Sequence, residues 1–282
     1  MGAMNRAKSG ISSVRTVRTF LTEGACSYTL FHVLNRAFGH PLPEEERAAD
    51  QFAGGIAQHG YQCGMLWGAT LAAGAQANRL YGDGPQAEAK AITAARRLVT
   101  SFRAAYHEIN CLEITGLDES SSTIQMVMHF LIKGGTVTCL RMAARWAPVA
   151  LREIDAAFAE EQTDVPPAPV SCAALLARKM GMSEMHAVMV AGLAGGIGLC
   201  GGACGALGAA VWITVLKSLR EGAEKVAFKS PDVLAVIDRF IKSSDYEFEC
   251  SKIVGRTFEG IGDHASHVCK GGCSKILDAL AG

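Results

Sequence analysis

From residue 14 to residue 38 apolar side chains recur at three- and four-residue intervals, the spacing of one buried helix face: Val14, Val17, Phe20, Leu21, Leu30, Val33, Leu34 and Phe38. Gly24 interrupts the run, so the pattern predicts two helices, with Cys26 opening the second. His40-Pro41-Leu42-Pro43 forces a connection, and Glu44 to Glu46 suit the first turn of the next helix, where carboxylates meet the positive end of the backbone dipole. Further helices are predicted up to Leu80, over 86–109 and from Cys139 to Phe158, with an apolar stretch over 124–132 and breaks at Tyr81-Gly82-Asp83-Gly84-Pro85 and Gly134-Gly135. No stretch alternates with a period of two between hairpin turns, so the pattern reads as all-α.

The chain also repeats itself. Gly54-Gly55-Ile56 followed by Cys63-Gly64 returns as Gly195-Gly196-Ile197 followed by Cys204-Gly205. Cys26 and Cys172 both open helices, Cys250-Ser-Lys-Ile-Val-Gly255 echoes Cys111-Leu-Glu-Ile-Thr-Gly116, and Cys273 precedes an apolar helical segment as Cys139 does. The polar, proline-rich stretch EEQTDVPPAP falls between the copies. The expected organisation is a first cysteine-containing unit over 1–160, a linker over 161–169 and a second unit over 170–282, two helical bundle-like units forming an internal pseudo-dimer.

Composition narrows the function. Basic and acidic residues balance at 27 each, so no global field recruits nucleic acid, which is not an expected partner. The run from Ala187 to Leu216 carries no charge and is long enough to span a bilayer, but its Gly-Gly pairs favour a buried, bent helical hairpin, and membrane association is not expected. Arg15 and Arg18 interrupt the stretch before Phe20, so it does not read as a secretory leader, and a cytoplasmic location is expected. In that compartment ten cysteines point to metal ligation or thiol chemistry rather than a structural disulfide framework.

These landmarks resemble the redox-active protein family named for its C-GCAxxG-C-C cysteine pattern, here as two fused units. Carried onto this chain, the resemblance implies one site from Cys26, Cys63, Cys111 and Cys139 and another from Cys172, Cys204, Cys250 and Cys273. The central motifs depart from the pattern in opposite ways: Cys63-Gly64-Met65-Leu66-Trp67-Gly68 has Met for Ala, and Cys204-Gly205-Ala206-Leu207-Gly208-Ala209 has Ala for the last Gly. Together the resemblance and four landmarks per half favour an iron–sulfur cluster in each unit, of the 2Fe-2S or 4Fe-4S kind, because thiolates are strong anionic soft donors for iron. Electron transfer or redox sensing is the expected activity, with an electron-transfer protein as partner and no identified substrate, so whether the chain is an enzyme stays open. A homo-oligomer is also compatible with the pattern.

Other chemistries stay open on the residues alone. Four thiolates also satisfy tetrahedral zinc, with His59, His264 or His267 able to replace a cysteine. The second half adds Cys200 and Cys269, each four residues before a motif cysteine, and His59 stands at the Cys200 position of the first half. If both intervals are helical, Cys200/Cys204 and Cys269/Cys273 each share a helix face, as attacking and resolving thiols or as extra ligands. Any single cysteine also packs well as a small apolar side chain.

Overall fold

The computed structural model describes residues 10–161, 165–224 and 226–282, so residues 162–164 of the expected linker lie outside the described residues. The first half contains α1 (Ser13–Glu23), α2 (Cys26–Phe38), α3 (Pro43–Ala48) running into a 3₁₀ turn (Ala49–Phe52), α4 (Gly64–Tyr81) and α5 (Pro85–Tyr106). It closes with the short α6 (Cys111–Thr115), α7 (Thr123–Val127) continuing as a π turn (Met128–Ile132), and α8 (Gly135–Ala159). In the second half follow α9 (Cys172–Lys179), α10 (Glu184–Ala191), α11 (Gly205–Arg220), α12 (Pro231–Ser243), α13 (Cys250–Val254), α14 (Ile261–Cys269) and α15 (Ser274–Ala281). Among the described residues the only strand-like pairings are two isolated bridges, Gln62 with Asn110 and Ala203 with Glu249. The fold is all-α.

The punctuation works as the glycines suggest. Gly24 takes a left-handed conformation that ends α1 and returns its N–H to the Phe20 carbonyl, leaving Cys26 at the start of α2. Three glutamates fill the first turn of α3, after Pro43 at its start. The uncharged run 187–216 is broken by the turn between α10 and α11, and no described helix is long and apolar enough to cross a membrane. Cys139 sits one turn inside α8 rather than at its start, because Gly134 takes the N-cap position.

The halves interlock. α4 packs against α10 and α11 packs against α3, which is one contact written twice with the halves exchanged. Trp67, Trp146 and Trp212 are almost fully enclosed, and truncating a core tryptophan typically costs about 3–5 kcal/mol. The Trp67 indole stacks on Phe52 and donates to the Gln62 carbonyl at 3.0 Å, while that of Trp212 reaches into the other half to the Glu45 carbonyl at 3.0 Å. Phe248 of the second half stacks on Tyr61 and His59 of the first.

Candidate functional site

The Gly-Gly-Ile segments are left-handed turns. Residues 54–58 and 195–199 all have positive φ, from 47° at Ala57 to 78° at Gly55. Glycine tolerates that conformation, but Ile56, Ala57, Gln58, Ile197 and Leu199 each carry a steric penalty of roughly 1–2 kcal/mol. Two things offset it. Ile56 and Ile197 are fully enclosed in the core, and matching backbone bonds close each turn, Ala57 N to Gln51 O and Gly60 N to Gly54 O in the first half, Gly198 N to Gly192 O and Gly201 N to Gly195 O in the second.

Each turn folds back on the segment that carries the central cysteine. There a two-bond bridge ties that cysteine to the next one: Cys63 N donates to Ile109 O and Cys111 N to Tyr61 O, both at 2.7 Å. The second half repeats the bridge, with Cys204 N to Phe248 O at 2.8 Å and Cys250 N to Gly202 O at 2.7 Å. The opening cysteine of each half accepts a hydrogen bond from the turn itself, Cys26 from the Gly54 amide and Cys172 from the Gly195 amide. Three segments distant in sequence thus deliver their cysteines to one place in each half, and Cys139 and Cys273 come close enough to sense them.

In the second half that place is a cavity. Cys172, Cys204, Cys250 and Cys273 line it, with Ile253, Val254, Phe258 and Ile276 as apolar wall and His264 also facing it. Its free volume of ≈ 20 Å³ is that of about one water-sized sphere. Burial pushes the Cys204 and Cys273 thiols up to about 12, and lifts Cys172 and, further still, Cys250. The cysteines raise one another as well: Cys250 senses charge on Cys204, Cys172 and Cys273. His264 donates its Nδ1–H to the Val170 carbonyl oxygen at 3.0 Å, which in the neutral ring leaves the lone pair on Nε2. Burial holds this histidine below its ordinary value. His267 stands outside the cavity lining, with Nε2 3.6 Å from the Cys273 sulfur.

The first half gathers its four cysteines with a different internal arrangement. The Cys63 thiol donates a hydrogen bond to the Cys26 sulfur, which draws Cys26 below the usual thiol range, and that bond together with burial holds Cys63 well above it. Cys111 and Cys139 are pushed up to about 12, mainly by burial, and both also sense Cys26. Thr115 Oγ1 lies 3.9 Å from the Cys111 sulfur. In the second half no thiol-to-thiol hydrogen bond lowers Cys172, the counterpart of Cys26.

Several candidate side chains lie elsewhere. Cys200 and Cys204 do not share a helix face: Cys200 closes the left-handed turn and Cys204 caps α11, so the conditional helical pairing is corrected. The Cys200 thiol instead contacts the Gly198 carbonyl and senses Arg96 and Arg103 of the first half. Cys269 and Cys273 are likewise separated, because α14 ends at Cys269, which is exposed, and the chain turns before α15. His59 has both ring nitrogens engaged, Nε2 2.7 Å from Glu119 Oε2 and Nδ1 2.9 Å from the Ile56 carbonyl oxygen, and its ring stacks on Phe248. It holds a loop rather than facing the cysteines. Phe258, whose ring edge meets both His264 and His267, carries no motif that could have marked it.

All ten cysteines are free thiols. Among the described residues no group of three or more His, Cys, Asp or Glu side chains is assembled as a metal-holding set. The fit to a metal centre therefore rests on donor chemistry and enclosure: four soft donors around one apolar cavity.

Compared with known families, residues 25–151 and 170–282 each match the model of the family described as "Putative redox-active protein (C_GCAxxG_C_C)". The chain belongs to that family, and the two matches coincide with the two halves. No curated protein and no solved structure matches it.

Proposed function

We propose that this two-unit member of the redox-active family is an iron–sulfur electron carrier or redox sensor, with Cys26, Cys63, Cys111 and Cys139 as one ligand set and Cys172, Cys204, Cys250 and Cys273 as the other. The observation that carries the reading is the convergence of Cys172, Cys204, Cys250 and Cys273, from four separate segments, on one apolar cavity. A bound cluster supplies one-electron chemistry that thiols alone do not. The chain's own part is to present the sulfurs, to give up their protons and to limit water; Phe258 and Ile276 line the second cavity. Burial without a neighbouring cation makes the free thiolates costly, so occupancy by a cation is what favours their deprotonation.

A second reading rests on Cys26 and Cys63. A lowered thiol hydrogen-bonded to a raised one is the arrangement of a dithiol that exchanges with a disulfide substrate, the attacking thiolate at Cys26 and the resolving thiol at Cys63. Iron, zinc and labile sulfide measured on protein purified and reconstituted without oxygen separate the readings. Iron with sulfide supports the cluster; zinc without sulfide turns the sites into redox-silent tetrahedral centres. Neither metal, with a dithiol that oxidises and reduces reversibly, supports exchange.

A further inference from the structure

The second cysteine site is held in part by the first half. Gln62, 1% exposed, crosses to the other half and meets the segment that presents Cys204: its Oε1 accepts from the Ala203 N–H at 3.0 Å and its Nε2 donates to the Gly196 carbonyl at 3.3 Å. Gly202 leaves room for it, since a Cβ there would collide with the Gln62 amide nitrogen and force that side chain to move. Glu88, fully enclosed, does the same at the other end of the site: its Oε2 accepts from the Ser171 N–H, immediately before Cys172, at 3.2 Å, and its Oε1 pairs with Arg178 at 2.7 Å.

The position equivalent to Gln62 in the second half is Ala203, which has no side-chain polar group to return the contact. Backbone segments adjoining two of the four second-site cysteines are therefore tied to the first half by buried side chains. We propose that Gln62 and Glu88 are positioning residues for the second site, which is completed across the two halves, so that the second unit alone does not preset Cys204 and Cys172. The placement itself stands on geometry; its consequence for metal affinity rests on the metal reading above.

The test uses the full-length chain. Gln62→Met fills the same space without either hydrogen bond. In metal-free protein, mapped by mass spectrometry during iodoacetamide labelling, Cys204 is expected to react about tenfold or more faster than in the parent, through freer local opening. The rate at Cys63, next to the substitution in sequence, is expected to stay within twofold. In an anaerobic cobalt(II) titration followed by thiolate-to-metal absorption, one of two binding events weakens by roughly 10- to 100-fold, the usual effect of removing an outer-shell partner. Glu88→Met is expected to speed Cys172 in the same way, and Glu88→Gln, which keeps an acceptor for the Ser171 N–H, to restore the parental rate. Equal acceleration at Cys63 and Cys204, or no acceleration at either, overturns the proposal. If the parent takes up no cobalt the metal reading fails, and the labelling rates alone decide the positioning role.

Discussion

Replacing Gly64 by alanine tests why glycine follows the central cysteine. Gly64 is the first residue of α4 and has no left-handed φ, so backbone conformation does not require glycine; space does. A Cβ at this position would stand 2.6 Å from the Cys26 sulfur and 2.9 Å from the Phe52 carbonyl oxygen. Ordinary contact begins near ~3.5 Å, so one gap is short by roughly 1 Å and the other by roughly half that. The sulfur could rotate away, but the carbonyl belongs to the backbone of the 3₁₀ turn and cannot, so the helix start or the turn must move. Overpacking of this kind costs about 1–3 kcal/mol. The opposing gain in helix propensity is at most about 1 kcal/mol, and less at a first helical position. A net loss of about 1–2 kcal/mol follows, which for a chain of this size lowers Tm by about 2–8 °C. The same displacement should weaken first-site metal binding by up to ~30-fold, at about 1.4 kcal/mol per tenfold, and change the labelling rate of Cys26 while leaving Cys204 alone. Gly262→Ala is the control, because that glycine lies in α14 with nothing near its Cβ position and the substitution should stabilise slightly. Calorimetry and residue-resolved labelling read the result. A Gly64→Ala protein with Tm at or above the parent and unchanged Cys26 reactivity would refute the packing argument.

The remaining predictions concern the thiols. Because Cys111, Cys139, Cys204 and Cys273 are pushed from 9.0 up to about 12, the folded metal-free protein favours their protonated forms. That contribution to stability is complete below the ordinary thiol value and is lost as pH rises from about 9 to about 12. Helicity followed by circular dichroism during alkaline titration should fall in that window, and a flat profile through pH 12 would contradict the burial. Metal uptake should release protons and tighten with rising pH below 9, as a pH-stat titration would record. Cys269, exposed and outside both quartets, should be the first cysteine alkylated in the native protein. Cys269→Ser should change neither metal stoichiometry nor stability by more than about 0.5 kcal/mol, in contrast to Cys204→Ser, which should abolish the second site alone.

Gly24, the Pro41–Pro43 connection and Gly134-Gly135 marked real helix boundaries because glycine and proline act locally, through φ and the missing N–H. The duplicated cysteine order was legible for the same reason: identical residues at a constant offset need no geometry to be noticed. What the sequence concealed was conformation without a residue-specific signal. Ala57, Gln58 and Leu199 sit left-handed although nothing in their chemistry asks for it; their neighbours' packing and the closing backbone bonds hold them there. That hidden turn is also why the helical spacing of Cys200 and Cys204 misled. His59 looked like a ligand by position, yet a carboxylate on a later loop and an aromatic ring from the other half engage it, and both partners are distant in sequence.

The fusion of the two units gives the asymmetry a physical basis. In a homodimer with a two-fold axis, every side chain meets a surface that carries the same residue, so a large group near the axis must face its own copy. Joined copies escape that constraint, and this chain departs from symmetry along the shared face: Tyr61-Gln62 before Cys63 corresponds to Gly202-Ala203 before Cys204, and Trp67 corresponds to Gly208. In two cases the small residue of the second half receives a large one of the first, with Gln62 against Gly202 and the Trp67 ring against Gly208, where a Cβ would collide with the indole. The cysteines themselves keep the duplicated order, while their surroundings differ: a hydrogen-bonded Cys26–Cys63 pair in one half, and four raised thiols around a cavity braced from across the interface in the other. If both quartets bind metal as proposed, their affinities or potentials should differ, because hydrogen bonds to sulfur and local burial are the terms that set both.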